Sequence, residues 1–444
     1  MYTLIFDIGK TNKKCFVFDE QLEVVYSDAI TFAEIEDDDG FPCDDLEALT
    51  RWVRTQFAAL TDRYPIQNIN FSTYGASFVH IGAEDKPLLP LFNYLKPLPE
   101  EVERAFLQNY GSKMRFSLET ASPYLGMLNS GLQLYWLKHT YPEVYKKIKY
   151  SLHFPQYLSF LFSGQACSDY TSLGCHTGLW TFHTGQYAGW VSKEGLDKIL
   201  APVRPTTDVL SSGGYAIGAG IHDSSAALVP YLVGSEGRFV LLSTGTWSIA
   251  LNPFNEAPLS EEDLLHDTLL FMDIYGRPVK ASRLFLGKEH DEQVARLTRR
   301  FKVSGEAYKS VSFDLGFYMK WRSRGVMPTF EYLNGGPDDS DDYKKCSTFE
   351  EAYHLLMYGL VRVQLEALSR CIGDTKEITR IFVDGGFANN VLFVRMLALE
   401  LQPIEVITSQ LAGGSALGAA LVMDTSRFDN VRFHTNLNLK KIPV

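Results

Sequence analysis

One pattern recurs in this chain and limits what it can become: a short apolar run, a turn built around a glycine with polar neighbours, and a returning apolar run. Near the start it reads Tyr2 to Phe6, Asp7-Ile-Gly-Lys-Thr-Asn12, then Cys15 to Phe18, with a further strand from Val24 to Tyr26. In the second half it reads Phe239 to Leu242, Ser243-Thr-Gly-Thr246, then Trp247 to Leu251. Apolar runs of this length punctuated by such turns are hairpins. Each hairpin is followed further on by a helix and another strand. Leu46, Leu49, Trp52, Val53, Phe57 and Leu60 fall at helical intervals before Ile66–Tyr74, and the long helical segment Phe349–Ile372 precedes Arg380–Val383. Shared grammar in two halves implies a duplicated α/β architecture. A chain of 444 residues also exceeds what one hydrophobic core organises. Two domains are expected, 1–229 and 230–444, meeting near Pro230–Gly237.

Composition removes several classes of function. Hydrophobic residues at 45 % and charged residues at 21 % describe an ordinary globular chain. A net charge of -11 argues against a nucleic-acid binder, though it leaves room for a local cationic pocket. The six cysteines, at 15, 43, 167, 175, 346 and 371, have neither the spacing of a zinc site nor that of a disulfide framework, which fits a reducing compartment. No stretch approaches the ~20 apolar residues of a membrane helix. Met1 to Phe6 runs into Asp7 without a basic start or long apolar region, so no secretory leader is expected and a cytoplasmic location follows.

The turns carry the chemistry. Glycine lets backbone approach an anion closely, and successive N–H groups in such a turn form an anion-binding concavity. A carboxylate beside it, as at Asp7, can hold Mg²⁺ directly or through water. Each turn alone is equally an ordinary hairpin with hydroxyl caps; two at equivalent places could grip phosphates from both sides. A third element, Ile381-Phe-Val-Asp-Gly-Gly-Phe-Ala-Asn-Asn390, places a double glycine between a strand and a helix N-terminus, where free N–H groups favour anions. Leu411 to Ala420 is rich in small residues and reads as helix packing. Neither G-x-x-x-x-G-K-[ST] nor a first-turn G-x-G-x-x-G occurs, which disfavours P-loop and Rossmann proteins.

Between the glycine turns lies Gly220-Ile-His-Asp-Ser-Ser-Ala-Ala-Leu-Val229, a strand-to-helix junction. On the residues alone Asp223 reads as the N-cap of the helix that follows. His222 has two open readings, an orienting group or a satisfied structural histidine. The aromatic-rich stretch from Tyr94 to about Val203 belongs to the first domain and is expected to line a cleft, with plain core packing as its alternative. Glu256–Gly336 reads as an elaboration of the second domain.

The ordered set DIGKTN, STGTWS, VDGGFANN and GGSALGAAL resembles the ATP-binding elements of the sugar kinase/Hsp70/actin superfamily, and GIHDSSAAL resembles the FGGY carbohydrate kinases. With STYGASFV upstream, the pattern is most similar to L-rhamnulokinases and L-fuculokinases. The resemblance implies two ribonuclease H-like (actin-like ATPase) domains with a cleft between them. It implies ATP and Mg²⁺, with Asp7 at the metal and Gly9, Lys10, Thr11 and Asn12 on the first phosphate loop. Thr244, Gly245 and Thr246 fall on the second loop, and Gly385, Gly386 and Asn389 beside the adenosine. Lys10 is unusual there; contact with phosphate and exposure to solvent are both open. Tyr74, Gly75 and His222 match sugar-cleft positions, and Asp223 matches the catalytic base. The stretch Asn93-Tyr-Leu-Lys-Pro-Leu98 departs from the usual Asp-x-Arg sugar contacts, which leaves the sugar open, although Lys96-Pro97 suits fuculokinase-like sequences.

The implied reaction is phosphorylation of a primary hydroxyl of a ketose, a 6-deoxy-L-ketohexose such as L-rhamnulose or L-fuculose. Xylulose, ribulose or glycerol are alternative acceptors, and an actin- or Hsp70-like ATPase without sugar transfer is the rival from another class. The expected partner is a small sugar, with neither nucleic acid nor membrane, and monomer and homodimer both remain open.

Overall fold

The computed structural model describes residues 2–335, 341–375, 377–409, 413–430 and 437–443. Of the stretches discussed above, Met1, Gly336, Leu411 and Ala412 lie outside these residues.

The first sheet grows from the N-terminal hairpin. Strand β1 (Tyr2–Ile8) pairs antiparallel with β2 (Lys13–Phe18), which pairs antiparallel with β3 (Val24–Ile30). Helix α1 (Leu46–Arg63) starts where the Asp45 side chain accepts from Ala48 N, and it buries Leu46, Leu49, Val53 and Leu60. It delivers the chain to β4 (Ile66–Thr73), parallel to β1. The hairpin of β5 (Val209–Ser212) and β6 (Tyr215–Gly218), then β7 (Ile221–His222), complete the sheet, with β6 and β7 both parallel to β4. Strands β1 and β4 are buried on both faces, as their nearly continuous apolar sequence requires.

Helix α2 (Asp223–Gly234) leads to the second sheet. There β8 (Arg238–Thr244) pairs antiparallel with β9 (Ser248–Asn252). After β10 (Thr268–Met272), β11 (Pro278–Leu284) pairs antiparallel with both β9 and β10. Helices α3 (Leu286–Phe301) and α4 (Phe349–Ile372) precede β12 (Ile378–Gly385), parallel to β8. Helix α5 (Val391–Glu400), β13 (Glu405–Thr408), helix α6 (Gly414–Leu421) and the short edge strand β14 (Lys440–Lys441) follow. The run β3-β2-β1-β4-β6 in the first sheet has the same order and strand directions as β11-β9-β8-β12-β13 in the second. The duplication expected from the two hairpins is therefore a duplication of topology.

The halves meet through small residues. A Cβ on Gly418 of α6 would lie 1.8 Å from the carbonyl oxygen of Ala226 on α2, so only glycine permits this crossing. Asn70 of β4 donates to the Ala419 carbonyl at 2.8 Å, fixing the same contact. Gly413–Leu421 thus packs as its composition suggested. The expected division at 229/230 falls inside α2, whose helical hydrogen bonding runs on to Gly234.

The aromatics of 94–203 correct an expectation. Tyr135, Trp136 and Phe106 are buried in a core of their own, and Tyr157 and Leu158 in the core beneath β1 and β4, so they pack rather than line a cleft. Among the described residues no helix is long and apolar enough to cross a membrane.

Candidate active site

Two adjoining cavities lie where the corresponding strand ends of both sheets converge. The smaller, about 220 Å³, is lined by Asp7, Lys14, Asp223, Ser224, Ser243, Asp384, Gly385 and the start of α6. The larger, about 460 Å³, is lined by Gly245, Thr246, Gly287, His290, Tyr308, Gly386, Phe387 and Asn389, among others. They meet at the double glycine. Gly385 has φ +83°, and a Cβ there would lie 1.8 Å from the Thr244 carbonyl oxygen, so the third turn can sit against the second only with glycine.

Strand register explains who faces the smaller cavity. In the hairpin Asp7 stands directly opposite Lys14, because the turn from Gly9 to Asn12 closes with Gly9 N donating to Asn12 O. In the second sheet Ser243 stands opposite Asp384. Ser415, in the first turn of α6, donates to Asp7 Oδ2 at 2.9 Å.

Three carboxyls therefore share a small space. Burial pushes Asp7 up, as does the charge of Asp223; the nearby Ser72 hydroxyl, the hydrogen bond from Ser415 and the charge of Lys14 oppose this without cancelling it. Burial raises Asp223 to about 6 against bonds from the Ser224 N–H and hydroxyl. Burial likewise raises Asp384 to about 6, against the bond from Gly385 N–H and the nearby Tyr231 hydroxyl. One lysine against three carboxyls leaves an excess of negative charge that suits a divalent cation. Among the described residues no three His, Cys, Asp or Glu groups stand close enough to cage an ion. The donor set fits Mg²⁺ in its usual form, held by one carboxylate, phosphates and water.

Asp223 opens α2, but as its first helical residue rather than its cap. The cap position belongs to His222, whose side chain makes no capping bond. The Asp223 carboxylate accepts from the Ser224 backbone N–H at 2.6 Å, and its side chain remains a third exposed. His222 is buried, with Nε2 3.2 Å from Asp223 Oδ1 and 3.0 Å from Cys175 Sγ, while its backbone N–H donates to Thr171 Oγ1. Burial drives its pKa down to about 4, with the Asp169 charge opposing and the Arg283 charge adding, so the ring is neutral at neutral pH. Gly75 packs tightly here: a Cβ would lie 2.5 Å from Cys175 Sγ and 3.1 Å from the His222 ring, so a larger residue would displace these side chains.

The site residues read from the sequence divide accordingly. Asp7, Asp223 and Gly385 line the smaller cavity, and Gly245, Thr246, Gly386 and Asn389 the larger. His222 lies beside Asp223, Gly75 packs against His222, and Tyr74, next in the chain, turns its hydroxyl to Asp44; none of the three lines either cavity. Gly9, Lys10, Thr11 and Asn12 line neither. Thr11 and Asn12 are exposed, and Lys10 is paired with Asp44 at 2.7 Å and Glu34 at 3.0 Å, so neither reading of Lys10 describes it. The Thr244 hydroxyl is turned inward, donating to Asp384 O and accepting from Phe387 N at 3.0 Å, which makes it a brace between the second and third turns. Lys96 is buried between Asp37 and Asp39, at 2.6 and 2.5 Å, and is not free for a sugar. Lys14, Asp384 and Ser415 escaped sequence reading. For Lys14 the signal was present: a four-residue turn after Ile8 puts residue 14 opposite residue 7.

Family models match two stretches, the FGGY family of carbohydrate kinases N-terminal domain over residues 2–209 and the carbohydrate kinase FGGY C-terminal domain over residues 236–430. The chain belongs to the FGGY family of carbohydrate kinases. This FGGY chain is 25 % identical over 264 residues to a rhamnulokinase of Halalkalibacterium halodurans, covering 56 % of this chain and 55 % of the relative. The chain thus spans about half the length of the curated rhamnulokinases it matches. A gluconokinase of Bacillus subtilis is 23 % identical, over 95 % of this chain and 86 % of the relative. Among solved structures, a carbohydrate kinase from Novosphingobium aromaticivorans superposes with a TM-score of 0.77 at 25 % identity, covering 95 % of this chain and 93 % of that one.

Proposed function

We propose that the protein is an ATP-dependent kinase that phosphorylates a primary hydroxyl of a neutral ketose, a 6-deoxy-L-ketohexose of the rhamnulose or fuculose type. The observation that carries this reading is the place of Asp223, at the edge of the small carboxylate-lined cavity on one side and against His222, whose ring packs on Gly75, on the other. A group there can touch both a transferring phosphate and an acceptor. The acceptor side and the first phosphate contacts belong to the first half of the chain and the adenosine side to the second.

In this reading the adenosine occupies the larger cavity, between the turn at Gly245-Thr246, the start of α3 and Gly386–Asn389. The phosphates extend past Gly385 into the smaller cavity, where Lys14 and the free N–H groups opening α6 face them. Mg²⁺, when bound at Asp7, supplies neutralisation of the charge on the phosphates. A sugar hydroxyl is a weak nucleophile at neutral pH. Asp223 accepts its proton as the acceptor oxygen closes on the γ-phosphorus and the bond from that phosphorus to the departing ADP oxygen breaks, and a carboxyl with a pKa of about 6 is ionised at pH 7.5 yet basic enough to hold that proton. His222, neutral and wedged against Cys175, keeps Asp223 turned toward the cavity.

Charge supports a neutral acceptor. Lys10 and Lys13 are matched by Asp44 and Glu34, Lys96 by Asp37 and Asp39, and Arg283 by Asp267. A sugar acid would enter a space already bordered by Asp7, Asp223 and Asp384, where among the described lining residues only Lys14, which in this reading faces the phosphates, carries positive charge. The test is sugar-dependent ADP release over a panel of L-rhamnulose, L-fuculose, D-xylulose, D-ribulose, glycerol and gluconate. The reading expects the two deoxyketoses to give the highest kcat/KM. Turnover only with gluconate contradicts the neutral acceptor, and ATP hydrolysis indifferent to every sugar contradicts the kinase.

A further inference from the structure

The hairpin turn that was expected to hold phosphate is tied, through one buried carboxylate, to the wall of the proposed sugar cleft. Asp44 precedes the cap of α1 and is almost wholly buried. Its Oδ1 takes the Lys13 ammonium at 2.8 Å; its Oδ2 takes the Lys10 ammonium at 2.7 Å and the Tyr74 hydroxyl at 2.8 Å. Lys13 Nζ also donates to the Lys10 carbonyl at 2.7 Å, so the same ammonium grips the backbone of the turn. From the other side, Tyr74 N donates to the Ile8 carbonyl at 3.1 Å. Burial pushes the Asp44 carboxyl up, but the hydrogen bonds and charges of Lys10 and Lys13 outweigh it and hold the pKa below the usual range. The group is therefore ionised, with three donors converging on two oxygens.

Such a node costs a buried ammonium group at Lys13, a partly buried one at Lys10 and a buried carboxylate, which a turn needing only to reverse the chain would not require. What it links is specific. On one side is the turn whose register sets Lys14 opposite Asp7; on the other is Tyr74, followed by Gly75, which touches His222 beside Asp223. We propose that Asp44 is a positioning residue that makes the first hairpin turn, which sets Lys14 opposite Asp7, and the acceptor wall one mechanical unit, so that nucleotide and sugar each strengthen binding of the other. Lys10 and Lys13 are the turn's two anchors in this unit and Tyr74 is the wall's. The inference rests on the proposed kinase function for its ligands, although the node itself exists without them.

The experiment compares the full-length protein with Asp44→Asn, which keeps the shape and deletes the charge, and with Lys13→Gln, which keeps Asp44 and loosens only the turn. L-rhamnulose and L-fuculose are titrated calorimetrically with and without saturating Mg²⁺ and a non-hydrolysable ATP analogue. The ratio of the two dissociation constants measures the coupling, for which about 5- to 150-fold is typical of linked sites. The expected result is a ratio above five in the wild type and a loss of at least threefold in that ratio in either variant. A wild-type ratio of one, or a ratio unchanged in both variants, overturns the proposal.

Amide hydrogen exchange separates this failure from failure of the functional reading, since it needs no ligand. If neither sugar binds, faster exchange in the variants at both Gly9–Asn12 and Gly75–Ser77 supports the node, and acceleration confined to one segment overturns it. Asp44→Asn is the variant most exposed to misfolding, and Lys13→Gln then carries both measurements.

Discussion

The Ser415 hydroxyl donates to the Asp7 carboxylate at 2.9 Å across 408 positions of sequence, joining the first strand of one sheet to the last long helix of the other half. That bond is made by two groups that both line the small cavity, so the arrangement of the site and the docking of the halves depend on one another. Replacing Ser415 with alanine leaves a partly buried carboxylate one donor short. The expected cost is about 1–3 kcal/mol of stability, with a several-fold rise in KM for ATP, checked by thermal unfolding and initial rates on the same preparation. An unchanged KM would show that the contact is only structural.

The raised pKa of Asp223 makes an opposed pair of predictions. A base must be ionised to act, so log kcat/KM for the sugar should rise with pH and level off above an apparent pKa near 6. Stability runs the other way. A carboxyl whose folded pKa is about 6, against 3.8 in the unfolded chain, favours the fold fully only below 3.8, and that advantage is lost as pH rises through 6. Asp223→Asn should therefore raise the melting temperature at pH 7.5, and the gain should shrink toward pH 4. Melting curves that differ equally at both pH values would contradict the assigned ionisation.

Gly418 sits where two helices nearly touch. Alanine there would place a methyl carbon 1.8 Å from the Ala226 carbonyl oxygen, and neither backbone can yield locally. Gly418→Ala should destabilise by about 1–3 kcal/mol or more. It should also depress kcat more than a surface mutation of equal destabilisation, because α2 and α6 begin at Asp223 and beside Ser415. Differential scanning calorimetry with single-turnover kinetics tests both parts.

Among the described residues lining the small cavity, Lys14 is the only lysine or arginine. Lys14→Met should lower kcat/KM for ATP by at least tenfold while leaving the fold intact, and Lys14→Arg should recover most of it. Steady-state rates varied in ATP at fixed sugar give the answer. Equal rates for methionine and arginine would remove Lys14 from the phosphate site.

How far the sequence could be read follows from what each feature depends on. The two hairpins, the helix before β4 and the duplication were legible because apolar periodicity and glycine turns are local. The junction at Asp223 was legible as a strand-to-helix boundary, yet its cap belongs to His222, since the strand runs one residue further than apolar residues alone mark. Lys10 was misread because its partners, Glu34 and Asp44, lie on a segment with no periodic signal. Thr244 turned inward because β12 packs against β8 closely enough for its hydroxyl to reach the Asp384 carbonyl, a fact of parallel pairing across 140 residues. The aromatics between 94 and 203 look alike whether they line a cleft or fill a core, and here they fill cores.

The most direct measurement is sugar-dependent ADP release by wild type and Asp223→Asn, on whichever ketose of the panel is the best acceptor, at pH 7.5 with saturating Mg²⁺-ATP. If Asp223 takes the acceptor's proton, the asparagine protein should fold, bind nucleotide and lose roughly 10²–10⁴-fold in kcat. Sugar-dependent turnover within a few-fold of wild type would contradict the account.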